Sequence, residues 1–119
     1  MNKKKITVID YGVGNLLSLK RAFEKIDADV IITNNYREII NSSSVVLPGV
    51  GAFNQAMKLI KEKKILDKLE NFVKNENNYL LGICLGMQLF FEESSENSST
   101  LGLGMIKGKV TKLSTNKSA

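Results

Sequence analysis

The chain has 119 residues, 43% hydrophobic and 24% charged, enough for one domain with its own core and too few for two. Its net charge of +5 comes almost wholly from lysines mixed with glutamates, as in Lys61-Glu-Lys-Lys64; without an arginine cluster or an aromatic run, this argues against a nucleic-acid partner. No apolar run approaches the roughly 20 residues of a membrane span, and one Cys with no His offers neither an intrachain disulfide nor a zinc site.

The basic start, Met1 to Lys5, leads into Ile6-Thr-Val-Ile-Asp10, which is too short for the core of a signal peptide and ends in a carboxylate. A cytoplasmic chain is the expectation. Ile6 to Asp10 instead predicts a buried strand, closed by the Gly-rich turn Tyr11-Gly-Val-Gly-Asn15. A helix follows over about 16–26, with Leu16, Leu17, Leu19, Ala22, Phe23 and Ile26 on its apolar side. Val30 to Thr33 is a second strand, 36–41 a short helix and Val45 to Leu47 a third strand. After the only proline, Pro48-Gly-Val-Gly51 opens a helix over about 52–62, and another spans about 65–75. Tyr79 to Ile83 is the fourth strand, with Cys84 directly after it and a helix expected over about 86–92. Residues 94–100 form a polar loop, and 105–113 alternate weakly, as a hairpin or a pair of short strands does.

Strand–helix alternation of this kind predicts an α/β fold, a doubly wound and mostly parallel sheet with helices on both faces. No repeat or linker divides 1–119. The polar residues 114–119 come straight after a strand, an abrupt place for such a fold to stop, and its C-terminal part is expected to be missing.

The sharpest chemical signal is Gly82-Ile-Cys-Leu-Gly86 between a strand and a helix. It has the form of a nucleophile elbow with Cys in place of Ser. The strained turn lifts the nucleophile off the sheet's edge, and small residues two before and two after it prevent clashes. The start of the helix favours a thiolate, and the N–H of Leu85 points at a developing oxyanion. A buried structural thiol is the plain alternative. Pro48 to Gly51 also follows a strand at the same edge of the sheet, and its glycines let backbone N–H groups of Gly49, Val50 and Gly51 approach a substrate. An ordinary strand-to-helix turn is the alternative there. Tyr11 to Asn15 begins like a dinucleotide fingerprint, but Leu17 stands where the third glycine belongs and no acidic residue closes the second strand. Asn15 capping the helix is the better reading.

Asp10-Tyr-Gly-Val-Gly-Asn15, Leu47-Pro-Gly-Val-Gly-Ala-Phe53 and Leu81-Gly-Ile-Cys-Leu-Gly-Met-Gln88, in this order and spacing, resemble the class I glutamine amidotransferases. Within that class they look most like the glutaminase subunit of imidazole glycerol phosphate synthase, from histidine biosynthesis. The resemblance covers essentially the whole chain, including Glu92-Glu-Ser94 and Leu101-Gly-Leu-Gly104. It implies a flavodoxin-like fold, a Cys-His-Glu triad and no cofactor. Glutamine would be hydrolysed through a Cys thioester, and the ammonia passed to a (β/α)8-barrel cyclase/synthase subunit in a heterodimer. Carried over by position, Cys84 is the nucleophile and Gly49, Val50, Gly51 and Leu85 form the oxyanion region. Gln88 contacts the substrate glutamine, and Glu96 reaches its amino group.

The triad's His and Glu lie on a later segment in this family, and this chain has no His. An unassisted thiol is only a few per cent ionised at neutral pH, and nothing here protonates the leaving ammonia. The expectation is an intact nucleophile motif without sustained turnover. Two other readings share the motifs: an amidotransferase serving another acceptor, such as a surface sugar, and a non-catalytic flavodoxin-like binding module.

Overall fold

The computed structural model describes residues 3–96 and 99–113. Four strands alternate with helices in chain order: β1 (Lys4–Ile9), α1 (Leu16–Glu24), β2 (Ala28–Thr33), α2 (Tyr36–Ile40), β3 (Ser44–Leu47), α3 (Phe53–Glu62), α4 (Ile65–Val73) and β4 (Tyr79–Gly82). All four strands run parallel in the order β2-β1-β3-β4, as the alternation predicts. Consecutive side chains of a strand point to opposite faces. Ile9, Val45 and Leu47 therefore join Ile39, Met57, Ile60, Leu69 and Phe72 of α2, α3 and α4 in the larger core. On the other face, Val8, Val30 and Val46 meet Leu16, Leu19 and Phe23 of α1.

Among the described residues, the second face is covered by one helix only. Leu81 of β4 is half exposed, and Tyr79 is 71% exposed. Helix α1 itself has no fully buried residue. Leu16, Leu19 and Phe23 recur at the spacing that faces the sheet. Leu17 and Ile26, expected on the same apolar side, are exposed. Leu17 sits about 100° round the helix from Leu16, and Ile26 lies past the helix end, in a turn where Asp27 takes φ 62°.

The chain then departs from the expected pattern. The helix after Cys84 is α5 (Leu85–Leu89), a single short element, and Phe91–Ser94 is a strand, β5. Long-range pairing overrides the helical periodicity here. The Phe90 carbonyl accepts from Met105 N–H at 2.8 Å, that of Phe91 from Gly104 N–H at 3.1 Å, and that of Glu92 from Gly102 N–H at 2.8 Å. Gly102 is required there, since a Cβ would strike the Phe91 carbonyl oxygen and come within 2.9 Å of the Phe53 ring. β5 pairs antiparallel with β6 (Thr100–Leu101) and parallel with β7 (Ile106–Val110), giving a second, three-stranded sheet. The expected hairpin within 105–113 is thus one strand, and Ser94, expected to open a loop, is buried at the end of β5. Residues 97 and 98 of the expected polar loop, and the tail 114–119, lie outside the described residues.

Candidate active site

Three loops leave the carboxyl ends of the neighbouring strands β1, β3 and β4 and meet at one place. The last is the sharpest turn. β4 ends at Gly82, Cys84 takes φ 52° and ψ −123°, and α5 begins at Leu85. A side chain held at positive φ stores about 1–3 kcal/mol, and only surrounding structure maintains it. That structure is visible. Ile83 N–H donates to the Leu47 carbonyl at 3.1 Å, and Gly86 and Met87 N–H donate to the carbonyls of Ile83 and Cys84 at 2.9 and 3.0 Å. Both flanking glycines are required by space. A Cβ on Gly82 would stand 2.6 Å from Met87 Cα and from the Phe90 ring, and one on Gly86 would overlap the Leu47 carbonyl. The Cys84 side chain is exposed, unlike a structural core thiol.

The loop after β3 lies against this turn. A Cβ on Gly49 would come 2.8 Å from Gly86 N and 3.0 Å from Leu85 Cβ, so the two backbones touch through the missing side chain. Gly51 takes φ 96° and turns the chain into α3. Among the described residues, the N–H groups of Gly49, Val50, Gly51 and Leu85 have no hydrogen-bond acceptor. Free amide donors beside an exposed thiol are what an oxyanion requires.

The loop after β1 completes the enclosure. Gly12 and Gly14 take positive φ, Gly12 N–H donates to Asp10 Oδ1 at 3.1 Å, and Asn15 Oδ1 caps α1 by accepting from Ser18 N–H at 3.3 Å. A cavity of about 380 Å³ lies between this loop, α1 and the turn at Cys84. Asn15, Ser18, Ala22, Gly49, Val50 and Cys84 are among its lining residues. No Asp, Glu, Lys or Arg lines it. The site therefore presents an exposed thiol and amide donors, with no ionisable base lining the cavity among the described residues.

The structure thus brings Cys84 and Leu85 together with the 49–51 loop. Gln88 sits one turn along α5, its N–H 3.4 Å from the Cys84 carbonyl, with a half-buried side chain. Glu96 is exposed beyond β5, where its N–H donates to Ser94 Oγ at 3.3 Å, and it is not among the residues lining the cavity. Sequence reasoning assigned no role to Tyr11, whose buried hydroxyl donates to the Pro48 carbonyl at 2.6 Å. The available signal was a tyrosine placed in a glycine turn, since a buried phenol needs a partner.

The family model for glutamine amidotransferase class-I matches residues 7–118. The chain belongs to that family. Among the relatives of this amidotransferase chain is the imidazole glycerol phosphate synthase subunit HisH of Bacillus licheniformis, 50% identical over 111 residues that cover 91% of this chain and 50% of that one. The HisH subunit of Oceanobacillus iheyensis is 44% identical over 109 residues, 92% of this chain and 54% of its own length. The chain spans about half the length of the curated relatives it matches. A solved structure described as a crystal structure of glutamine amidotransferase shares the fold, with a TM-score of 0.73 at 19% identity over 88% of this chain and 55% of that one.

Proposed function

We propose that this chain carries the nucleophile of a glutaminase subunit that supplies ammonia to a (β/α)8-barrel synthase making imidazole glycerol phosphate. The observation that carries the reading is the exposed Cys84 at positive φ, with unpaired amide donors of the 49–51 loop and Leu85 packed around it. The identity to HisH subunits supports histidine biosynthesis as the setting. Within this reading the protein acts in the cytoplasm, and no helix among the described residues is long and apolar enough to cross a membrane.

The Cys84 thiolate attacks the side-chain carbonyl carbon of glutamine, and the negative charge moves to the carbonyl oxygen, toward the free N–H groups. Collapse of the tetrahedral intermediate breaks the C–N bond, and the nitrogen leaves as ammonia once it gains a proton. Water then cleaves the γ-glutamyl thioester, releasing glutamate and the thiol. On the family's pattern Gln88 contacts the substrate glutamine and Glu96 reaches its amino group, and neither is among the residues lining the cavity beside Cys84. The proton transfers need an imidazole, and this chain has no His. On the family's pattern that base belongs to the half of the relatives this chain does not span. The chain by itself therefore shows at most weak thiolate reactivity and no sustained turnover of glutamine.

A glutamine-analogue electrophile followed by mass spectrometry tests the reading. The expected result is a single adduct on Cys84, formed faster than on a free thiol and slowed by added glutamine. Labelling at the rate of the denatured chain, indifferent to glutamine, would remove the catalytic assignment. Ammonia release from the isolated chain should not exceed one equivalent.

A further inference from the structure

We infer that Tyr11 is a positioning residue for the oxyanion loop, its hydroxyl fixing the Pro48–Gly49 peptide so that the Gly49 N–H faces the cavity beside Cys84. The inference rests on the reading of Cys84 as the nucleophile. Tyr11 is fully buried although it stands in a surface turn, and among the described residues its hydroxyl has one partner, the Pro48 carbonyl oxygen at 2.6 Å. A trans peptide is planar, with its N–H directed opposite to its C=O. Anchoring the Pro48 oxygen on the buried side therefore directs the Gly49 N–H away from Tyr11. The other side is where Gly14 lies: a Cβ on Gly14 would stand 3.8 Å from Gly49 N, and both glycines line the cavity. The Gly49 N–H finds no acceptor there among the described residues.

The same contact joins all three loops. A Cβ on Gly49 would meet Tyr11 Oη at 3.0 Å, Leu85 Cβ at 3.0 Å and Gly86 N at 2.8 Å. The glycine loop lacks the side chains that would otherwise hold its peptide planes, so a neighbouring hydroxyl supplies the constraint. Burial also pushes the phenol up to about 12, so it remains a donor throughout the neutral range.

The test compares two reactions of Cys84 in the full chain. Acylation by a γ-glutamyl 4-nitrophenyl ester forms a tetrahedral oxyanion. The S–C bond forms, the C–O bond to nitrophenolate breaks, and one equivalent of nitrophenolate is read by absorbance without need of a proton donor. Alkylation by iodoacetamide displaces iodide at a saturated carbon and forms no oxyanion. Tyr11→Phe should slow acylation about tenfold or more while alkylation stays within about twofold, given the 10²–10³ lost with a whole oxyanion donor. Replacing Tyr11 with 4-fluorophenylalanine, which fills the hydroxyl's volume, should behave like Phe, and 4-aminophenylalanine, which restores a donor, should recover the ratio. Unchanged acylation in these variants, or a parallel fall of both reactions, overturns the positioning role. Wild-type acylation no faster than that of glutathione overturns the nucleophile reading itself, and the inference with it.

Discussion

The carbonyl oxygen of Leu47 occupies the place where a Cβ on Gly86 would have to stand. This oxygen also accepts the Ile83 N–H at 3.1 Å, so it cannot move without releasing the turn that carries Cys84. Both sides of the conflict are backbone, and no rotamer change relieves it. Gly86→Ala should destabilise the chain by about 3 kcal/mol or more, at the upper end of single-substitution effects. Urea unfolding followed by circular dichroism checks this. A loss under about 1 kcal/mol would mean that the turn is looser than described.

Cys84 itself sits at φ 52°, where glycine is comfortable and a β-carbon is not. Cys84→Gly should therefore be more stable than Cys84→Ala by about 1 kcal/mol, and at least as stable as the parent chain. Denaturant midpoints of the three proteins rank them. Ala equal to or above Gly would show that the turn relaxes once the sulfur is removed.

Tyr11 gives stability an alkaline dependence. Its phenol ionises near 10 in an unfolded chain and near 12 in the buried site, because desolvation disfavours the phenolate. Between these values the native state holds the proton more tightly than the unfolded state does. The contribution is thus complete below pH 10 and is lost as pH rises toward 12, by about 2 to 3 kcal/mol. Subtracting the stability profile of Tyr11→Phe from that of the parent over pH 9–12 isolates it. A flat difference would place the hydroxyl in contact with water.

The two faces of the β4 region should respond differently to truncation. Leu69 of α4 is fully buried in the larger core, and Leu69→Ala should cost about 2–5 kcal/mol. Leu81 is half exposed on the face that α1 covers, and Leu81→Ala should cost about 1 kcal/mol or less. Unfolding free energies in this order support the uneven cover of the sheet.

The parallel sheet was legible because its strands are short apolar runs, those of β1, β3 and β4 followed by glycine-bearing turns, and the tight turn at Cys84 because its glycines are spaced by steric need. Gly82 and Gly86 each face backbone, a constraint local enough to leave a pattern in five residues. The region after Leu89 was misread for the opposite reason. Phe91 and Glu92 become extended because Gly104 and Gly102, ten or more residues on, bond their carbonyls, and periodicity within a short window carries no trace of such partners. The same limit hid Tyr11, whose meaning depends on a carbonyl 37 positions away. The exposure of Leu17 and Ile26 escaped because an apolar stripe says which side of a helix prefers cover, without saying that cover is present.

The thiol's position at the junction of three parallel neighbours gives it a use apart from chemistry. The chain has no Trp, so it offers little intrinsic fluorescence, but it has one sulfhydryl that stands where β1, β3 and β4 end together. A slip of β4 by a single register position would turn residue 84 to the opposite side and dismantle its amide surroundings. The speed of its modification during refolding would then act as a clock for sheet assembly, read at one atom.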